Sequence, residues 1–508
     1  MKLGAPVVIN RELSQELQDS FAKDFTKLYL GNPTIDRLLL SKKKIKNPWL
    51  SSNSKILRRI SSEGIGGNGI SVIEVETNGV KRITNAFIKA AHILEPITYM
   101  KKQYDEKMLE NKFGEPMNKA YIDAFASCIV GNISNTNISP HFCEYYGSFG
   151  GIAKKYYYDI SDEYESFRNK RWFWKNKEDG EFDIKCLKDN SEYISDELQE
   201  IFEKPDDDEL LTDSESDSDS EVELPLDELT LDNESIHSAS VDFKSESEES
   251  QEYSDYEDSF EIFTELKDFP VMLICIEKND DTMDKILLEE EYDDSWEDRW
   301  LAWMFQIVAA LIQIQELLQM THNDLHTNNI LWIPTEEKYL YYKENSGQVW
   351  RVPTYGKLFR IIDFGRSIFT IDNKLYYSDD FLKNNDADEQ YNFGPFYDSK
   401  YPKVEPNVSF DLSRLATGLY EGLYDKNSVN EPEHHKLHDM LWSWMLDDEN
   451  ISILYKENGD DRFPGFDLYQ HIAAHVHGAV PKEQLKKGWF SNYRIKTPVG
   501  VKMYSLFV

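Results

Sequence analysis

The chain has 508 residues, which is enough for one large two-part core or two to three ordinary domains, and a formal net charge of −37. An aromatic content of 13% excludes a wholly disordered chain, so the mean hydropathy of −0.60 needs a local cause. Between Glu192 and Glu261 lie 28 acidic residues against Lys204 and Lys244, a local balance of −26 that leaves −11 for all the rest, so the acidity belongs to one segment and indicates no specific nucleic-acid partner.

Residues 1–54 read as an N-terminal extension with an amphipathic helix over 11–30. The basic patch Lys42-Lys43-Lys44-Ile45-Lys46 follows, a pattern most often found on a solvated face. The first part of the folded body spans 55–190. It opens with the turn Gly64-Ile65-Gly66-Gly67-Asn68-Gly69 and a strand over 70–76. Asn78-Gly79 is a hairpin signal, and the returning strand ends in Ala86-Phe87-Ile88-Lys89-Ala90. A helix over 118–133 and a strand over 141–146 come next.

Residues 191–262 form the acidic segment. A run such as Asp213-Ser214-Glu215-Ser216-Asp217 buries too little apolar surface to offset its ordering entropy, so a long disordered insert suited to basic partners is expected here. Order returns over 263–288, where a buried strand runs to Glu277 and a short linker follows. The last part, 289–508, begins with a long helix ending at Met320. Gln306, Gln313, Gln315, Glu316 and Gln319 interrupt that helix, a pattern that fits a buried helix better than a membrane span. Strands over 330–333 and 358–362 flank a polar and aromatic excursion over 334–356. Helices over 410–424, 433–445 and 468–480 complete the chain.

The chemistry concentrates between His322 and Gly365. The run His322-Asn323-Asp324-Leu325-His326-Thr327-Asn328-Asn329 places an asparagine five residues after an aspartate, and Asp363-Phe364-Gly365 supplies a second aspartate. Asp324 is suited to accept a hydroxyl proton, and Asn329 and Asp363 to hold a magnesium ion against phosphates. Upstream, Lys89 offers a point charge to phosphates, and Gly64, Gly66 and Gly69 offer backbone N–H groups. Glu277 ends a buried strand, where backbone groups can meet a purine edge.

With these residues in this order the chain resembles the protein kinases. In Thr321 to Leu331, Ile361 to Ser367 and Tyr391-Asn392-Phe393-Gly394-Pro395-Phe396 it is similar to the divergent serine/threonine kinase-like proteins of large nucleocytoplasmic DNA viruses. The resemblance implies an α+β, two-lobed protein-kinase-like fold, with a small β-rich N-lobe and a mainly helical C-lobe. It also implies ATP and Mg2+ as cofactors and a protein Ser/Thr hydroxyl as acceptor. Asp411 resembles the helix aspartate that braces the catalytic loop from beneath.

Several positions depart from the family. Asn323 stands where an arginine usually precedes the catalytic aspartate, which argues against control by loop phosphorylation. His326 replaces a lysine and resembles small-molecule phosphotransferases. The expected helix after Lys89 contains no glutamate, and Asp123 is its only carboxylate, either the partner of Lys89 or a solvent-facing group. A small-molecule hydroxyl kinase and a non-enzymatic pseudokinase scaffold are therefore the alternative readings.

Cys128, Cys143, Cys186 and Cys275 are scattered without metal-ligand spacing, as in a reducing compartment. The N-terminus lacks the apolar core of a signal peptide. An intracellular, soluble protein without a membrane partner is expected, in the host cytoplasm or the virion if the viral resemblance holds. His471, His475 and His477 have the spacing of a zinc site, but no His-Glu-x-x-His accompanies them and a structural role is the simpler reading.

Overall fold

The computed structural model describes residues 13–29, 54–188, 191–192, 202–205, 210–211, 261–383, 385–424, 435–456 and 458–507. The basic patch at 42–46 and nearly all of the expected acidic insert lie outside the described residues. The fold is of mixed α+β type, with a curled antiparallel sheet and a largely helical remainder.

The sheet contains β1 (Phe25–Tyr29), β2 (Ser54–Ser62), β3 (Gly69–Thr77), β4 (Val80–His92), β5 (Tyr145–Asp159), β6 (Phe182–Lys188), β7 (Ser191–Glu192) and β8 (Glu261–Glu277). Its main path runs β1-β5-β8-β4-β3-β2, and β6 adds to β8 and carries β7. The two-residue period of a strand buries Ala86, Ile88 and Ala90 on one face of β4 and sends Lys89 to the other. Asn78 and Gly79 both have positive φ, as the tight β3–β4 turn requires.

The N-terminal segment differs from the expectation. Instead of one helix over 11–30, Ser14 caps a short helix, Gln15–Phe21, and the chain re-enters as β1. Leu17, Phe21, Phe25 and Leu28 have helical spacing, yet the same residues fill the sheet core when β1 pairs with β5. The Arg59 guanidinium lies 4.3 Å from the centre of the Phe21 ring and pairs with Asp24, so this segment belongs to the sheet rather than preceding it as an extension. The expected strand over 141–146 starts only at Tyr145, while Phe142 makes a lone bridge to Ile361.

The second core surrounds the helix Trp296–Leu318, with the helices Phe410–Leu423, Lys436–Trp444 and Asp467–His475 packed around it. That central helix is long and apolar enough to cross a membrane by composition, but 83% of its most apolar window is buried within the fold. Its glutamines bond to neighbouring backbone. Gln306 donates to the Lys357 carbonyl at 3.1 Å and accepts from the Phe359 N–H at 3.1 Å, and Gln313 donates to the carbonyls of Ile138 and Ser505. The excursion over 334–356 is a β-hairpin, Tyr339–Lys343 with Val349–Pro353. It builds a four-stranded sheet with Arg494–Ile495 and Tyr504–Ser505.

One helix joins the two cores. Asn118 caps Lys119–Asn135 by accepting the Ala120 N–H at 3.0 Å. Ile122, Phe125 and Ile129 enter the helical core, while Ala120, Tyr121, Ala124 and Cys128 enter the sheet core. The helix sits close: a Cβ on Gly131 would meet Tyr145 Cβ at 2.6 Å and the Cys143 carbonyl oxygen at 2.9 Å. Overpacking of this kind costs about 1–3 kcal/mol, more than the few tenths to 1 kcal/mol that replacing a helical glycine returns. Gly131→Val is therefore expected to lower the denaturation midpoint. An unchanged urea midpoint would show that the helix does not depend on this close approach.

Candidate functional site

Lys89, Asp123 and Asp363 meet at one point, although they come from a strand, a helix and a loop. The Lys89 ammonium lies 2.7 Å from Asp123 Oδ2 and 2.6 Å from Asp363 Oδ1. The other Asp123 oxygen accepts the Phe364 N–H at 3.1 Å and the Ser127 hydroxyl at 3.3 Å, tying the helix to the residue after Asp363. Of the two options for Asp123, the partner of Lys89 is the one realised.

Burial alone would lower the lysine, but the two carboxylates outweigh it and hold Lys89 above its ordinary range. One ammonium serves two acids unequally. Burial pushes Asp123 up despite Lys89, whereas the more exposed Asp363 overcomes burial through Lys89 and is held well below the usual carboxylate range. Asp363 also has a left-handed backbone, φ 62°, a conformation that costs about 1–3 kcal/mol outside glycine and gathers at working sites.

The loop from His322 to Asn329 is fixed from below and behind. Asp411, fully buried at the start of its helix, accepts the N–H groups of His322 at 3.0 Å and Asn323 at 2.8 Å. His322 Nε2 donates to the Ile362 carbonyl at 2.8 Å, and its Nδ1 accepts the Asp324 N–H at 3.3 Å, which sets its tautomer. The Asn323 side chain is wholly engaged: it donates to the Arg366 carbonyl at 2.8 Å and accepts from the Tyr391 hydroxyl at 2.8 Å. Asn329 Nδ2 donates to the Asp324 carbonyl at 2.9 Å and to His326 Nε2 at 3.0 Å. That commitment of the nitrogen leaves Oδ1 as the end of the Asn329 side chain that could take an oxygen-seeking cation.

Two partners of Asp324 were not foreseen from the sequence. The Tyr469 hydroxyl donates to Asp324 Oδ1 at 3.1 Å, and Arg366 Nη1 lies 3.5 Å from the same oxygen. Burial would raise this carboxyl, but the Arg366 charge beside it holds it below its ordinary value. Arg366 directly follows the Asp363 motif and could have been singled out by position. Tyr469 lies 145 residues beyond Asp324 and carries no local signal.

The glycines and Glu277 are also held by contacts internal to the fold. Gly64, Gly66 and Gly69 do form the turn between β2 and β3, and Asn68 Oδ1 accepts the Ala90 N–H at 3.2 Å, tying that turn beside Lys89. Their lack of a Cβ already has an internal reason. A Cβ at Gly64 would lie 2.2 Å from the Asn68 carbonyl oxygen, and one at Gly66 2.8 Å from the Lys155 carbonyl oxygen. Glu277 N–H donates to the Glu144 carbonyl at 2.9 Å, and its own carbonyl accepts from Asn279 at 3.0 Å. Its side chain pairs with Arg360, so Glu277 fastens the linker to the helical body. Among the histidines, His471 stacks on Phe463 and His477 pairs with Asp448 at 2.8 Å.

No protein-family model matches the chain, and no curated protein matches it in sequence. The reading of the site therefore rests on its geometry.

Removing the ammonium while leaving both acids strands the buried Asp123. Breaking a fully buried pair costs about 3–5 kcal/mol, and the Lys89 side chain is 32% exposed, so Lys89→Met is expected at or below the lower end, about 3 kcal/mol. Adding Asp123→Asn to Lys89→Met should recover part of that loss. A double-mutant cycle by chemical denaturation that found the two changes additive would refute the pairing.

Proposed function

We propose that the chain is an ATP- and magnesium-dependent phosphotransferase with a two-lobed, protein-kinase-like arrangement, acting on Ser/Thr hydroxyls of proteins. The observation that carries this reading is the Lys89 ammonium held between Asp123 and Asp363, with the Asp324–Asn329 loop hydrogen-bonded to the same strand end through the Asn329 carbonyl and the Ile362 N–H at 3.0 Å. A strand lysine paired to an acid on a later helix resembles the arrangement that positions ATP phosphates in protein kinases, although here the helices Pro96–Met100 and Glu106–Gly114 come between the two.

In this reading Lys89 anchors the phosphates. Asp324 receives the acceptor hydroxyl: its Oδ1 is occupied by Tyr469 and Arg366, so Oδ2 is the oxygen turned to the acceptor. Asn329 through its side-chain oxygen Oδ1 and Asp363 through its carboxylate fit a hard cation that takes oxygen ligands, with phosphate oxygens completing the set. That ion would neutralise charge on the transferring group. The segment from Tyr391 to Val404 supports a polypeptide acceptor. It is anchored beside the loop by the Tyr391–Asn323 hydrogen bond and exposes Tyr397 and Tyr401.

His326, committed to Asn329 where serine/threonine kinases carry a lysine, favours the second reading of a small-molecule hydroxyl acceptor. Incubation with labelled ATP, magnesium and a generic protein substrate is expected to yield phosphoprotein. Asp324→Ala and Asp363→Ala should each lower the rate on the order of 10²–10⁴-fold. Full activity in Asp324→Ala would overturn the mechanism, transfer only to small hydroxyl compounds would select the second reading, and nucleotide binding without transfer would leave a scaffold.

A further inference from the structure

The segment that follows Phe364-Gly365 is fastened by buried charges that the proposed chemistry does not itself require. Arg366 is 3% exposed and reaches two carboxylates, Asp324 Oδ1 at 3.5 Å through Nη1 and Asp380 Oδ2 at 3.3 Å through Nε. Asp380, 1% exposed, also takes the Lys119 ammonium at 2.7 Å. Its neighbour Asp379 accepts the Lys119 backbone N–H at 2.7 Å and the Lys112 ammonium at 2.8 Å, while its own N–H donates to the Met117 carbonyl at 2.8 Å. Lys119 is the first residue of the helix that presents Asp123 one turn later.

The charges therefore form a chain: Asp324, Arg366, Asp380, Lys119, and then the helix that sets Lys89. A buried ion left without its partner is costly, so no link can shift without stranding its neighbours. Asn323, the residue before Asp324, brings no charge to this chain. The cation comes from Arg366 and the anion from Asp380, both on the segment itself. The hydroxyls flanking these charges, Ser367 and Ser378, are fully buried, and Ser378 Oγ already accepts the Asp380 N–H at 3.1 Å. A modifying enzyme has no access to either in this arrangement.

We propose that Asp379 and Asp380 are a built-in latch that docks the segment from 363 to 390 onto the N-terminus of the Lys119–Asn135 helix without any phosphate, and that Arg366 is the positioning residue by which this latch holds Asp324. The assignment to catalysis rests on the phosphotransferase reading; the latch itself does not. A phosphate on a loop and a carboxylate built into it can meet the same cations, and the carboxylate leaves nothing to be added or removed.

The test uses the full chain and the variants Asp380→Asn, Arg366→Met and the double variant Arg366→Met/Asp380→Asn. The double variant removes a cation and an anion together and leaves Lys119 with Asp386 at 3.6 Å and Asp324 with the Tyr469 hydroxyl, so it guards against simple failure to fold. Hydrogen exchange reads the latch without any activity. In Asp380→Asn, amides over 363–390 and over the first turns of the Lys119–Asn135 helix should exchange faster, and those of the Trp296–Leu318 helix should not. In the phosphotransfer assay, Asp380→Asn should lower kcat on the order of 10²-fold, as misplaced catalytic groups do, with KM for ATP little changed.

Arg366→Met should likewise lower kcat with KM for ATP little changed, because Asp324 loses the guanidinium that lies 3.5 Å from its Oδ1. Wild-type activity should survive phosphatase treatment. Unchanged exchange in Asp380→Asn would overturn the latch, and loss of activity on phosphatase treatment would overturn its phosphate independence. Faster exchange in a chain that transfers no phosphoryl group would uphold the latch and refute the phosphotransferase reading instead.

Discussion

The Lys89 ammonium shared by Asp123 and Asp363 is the interaction on which the arrangement of the two cores depends. Lys89 is fixed by the register of β4 against β8, where it lies opposite Ile274. Asp123 belongs to the helix that spans both cores, and Asp363 to a loop of the helical body. Because Asp is one methylene shorter than Glu, it reaches the ammonium only from a helix seated close to the sheet. The small residues Ala120, Ala124, Ser127 and Gly131 allow that approach, and all are buried. The short acid and the small side chains are two expressions of one constraint on helix position.

Charge is placed here where hydrophobic packing would cost less. Paired ions in a protein interior are often no more stabilising than apolar residues of the same shape, whereas a single unpaired ion is strongly destabilising. A network joining Lys89, Asp123, Asp363, Asp324, Arg366, Asp380 and Lys119 therefore contributes little net stability and much positional order. It allows one relative placement of the Lys119–Asn135 helix, the 322–329 loop and the 363–390 segment. The left-handed backbones at Asn323 and Asp363, φ 66° and φ 62°, fit that view, since strain persists only where the surroundings over-determine a conformation.

What the sequence made legible was local. Asp324, Asn329 and Asp363 could be singled out by spacing alone, and the glutamine stripe of the Trp296–Leu318 helix pointed to a buried helix. What it obscured was partnership across long separations. Asp123 was one of two options because nothing near it in sequence identifies Lys89. Tyr469 and Asp379-Asp380 carry no local signal, and the cations of the two acids, Lys112 and Lys119, lie some 260 residues earlier. At 11–30 the period itself misled: Leu17, Phe21, Phe25 and Leu28 satisfy a helix, and only pairing with β5 makes the second half a strand. The 334–356 hairpin was hidden because Tyr339-Leu340-Tyr341-Tyr342 lacks alternation, although Ser346-Gly347 marked its turn.

The distribution of cations also separates two tasks that one residue often combines. The cation beside Asp324 is Arg366, whose guanidinium is buried and committed to two carboxylates, so it orients the Asp324 carboxylate and is not free to move. His326 accepts from Asn329 and so helps to hold an amide rather than presenting a fixed charge. Lys89 remains, a third exposed, at the opposite end of the site beside Asp363. In a phosphotransferase built this way, positive charge on the donor side comes from Lys89 and a metal ion. The acceptor side is organised by hydrogen bonds and by a buried arginine that never meets the acceptor. In such an enzyme acceptor selection would fall to the shape of the exposed segment around Tyr397 and Tyr401, not to a charge beside Asp324.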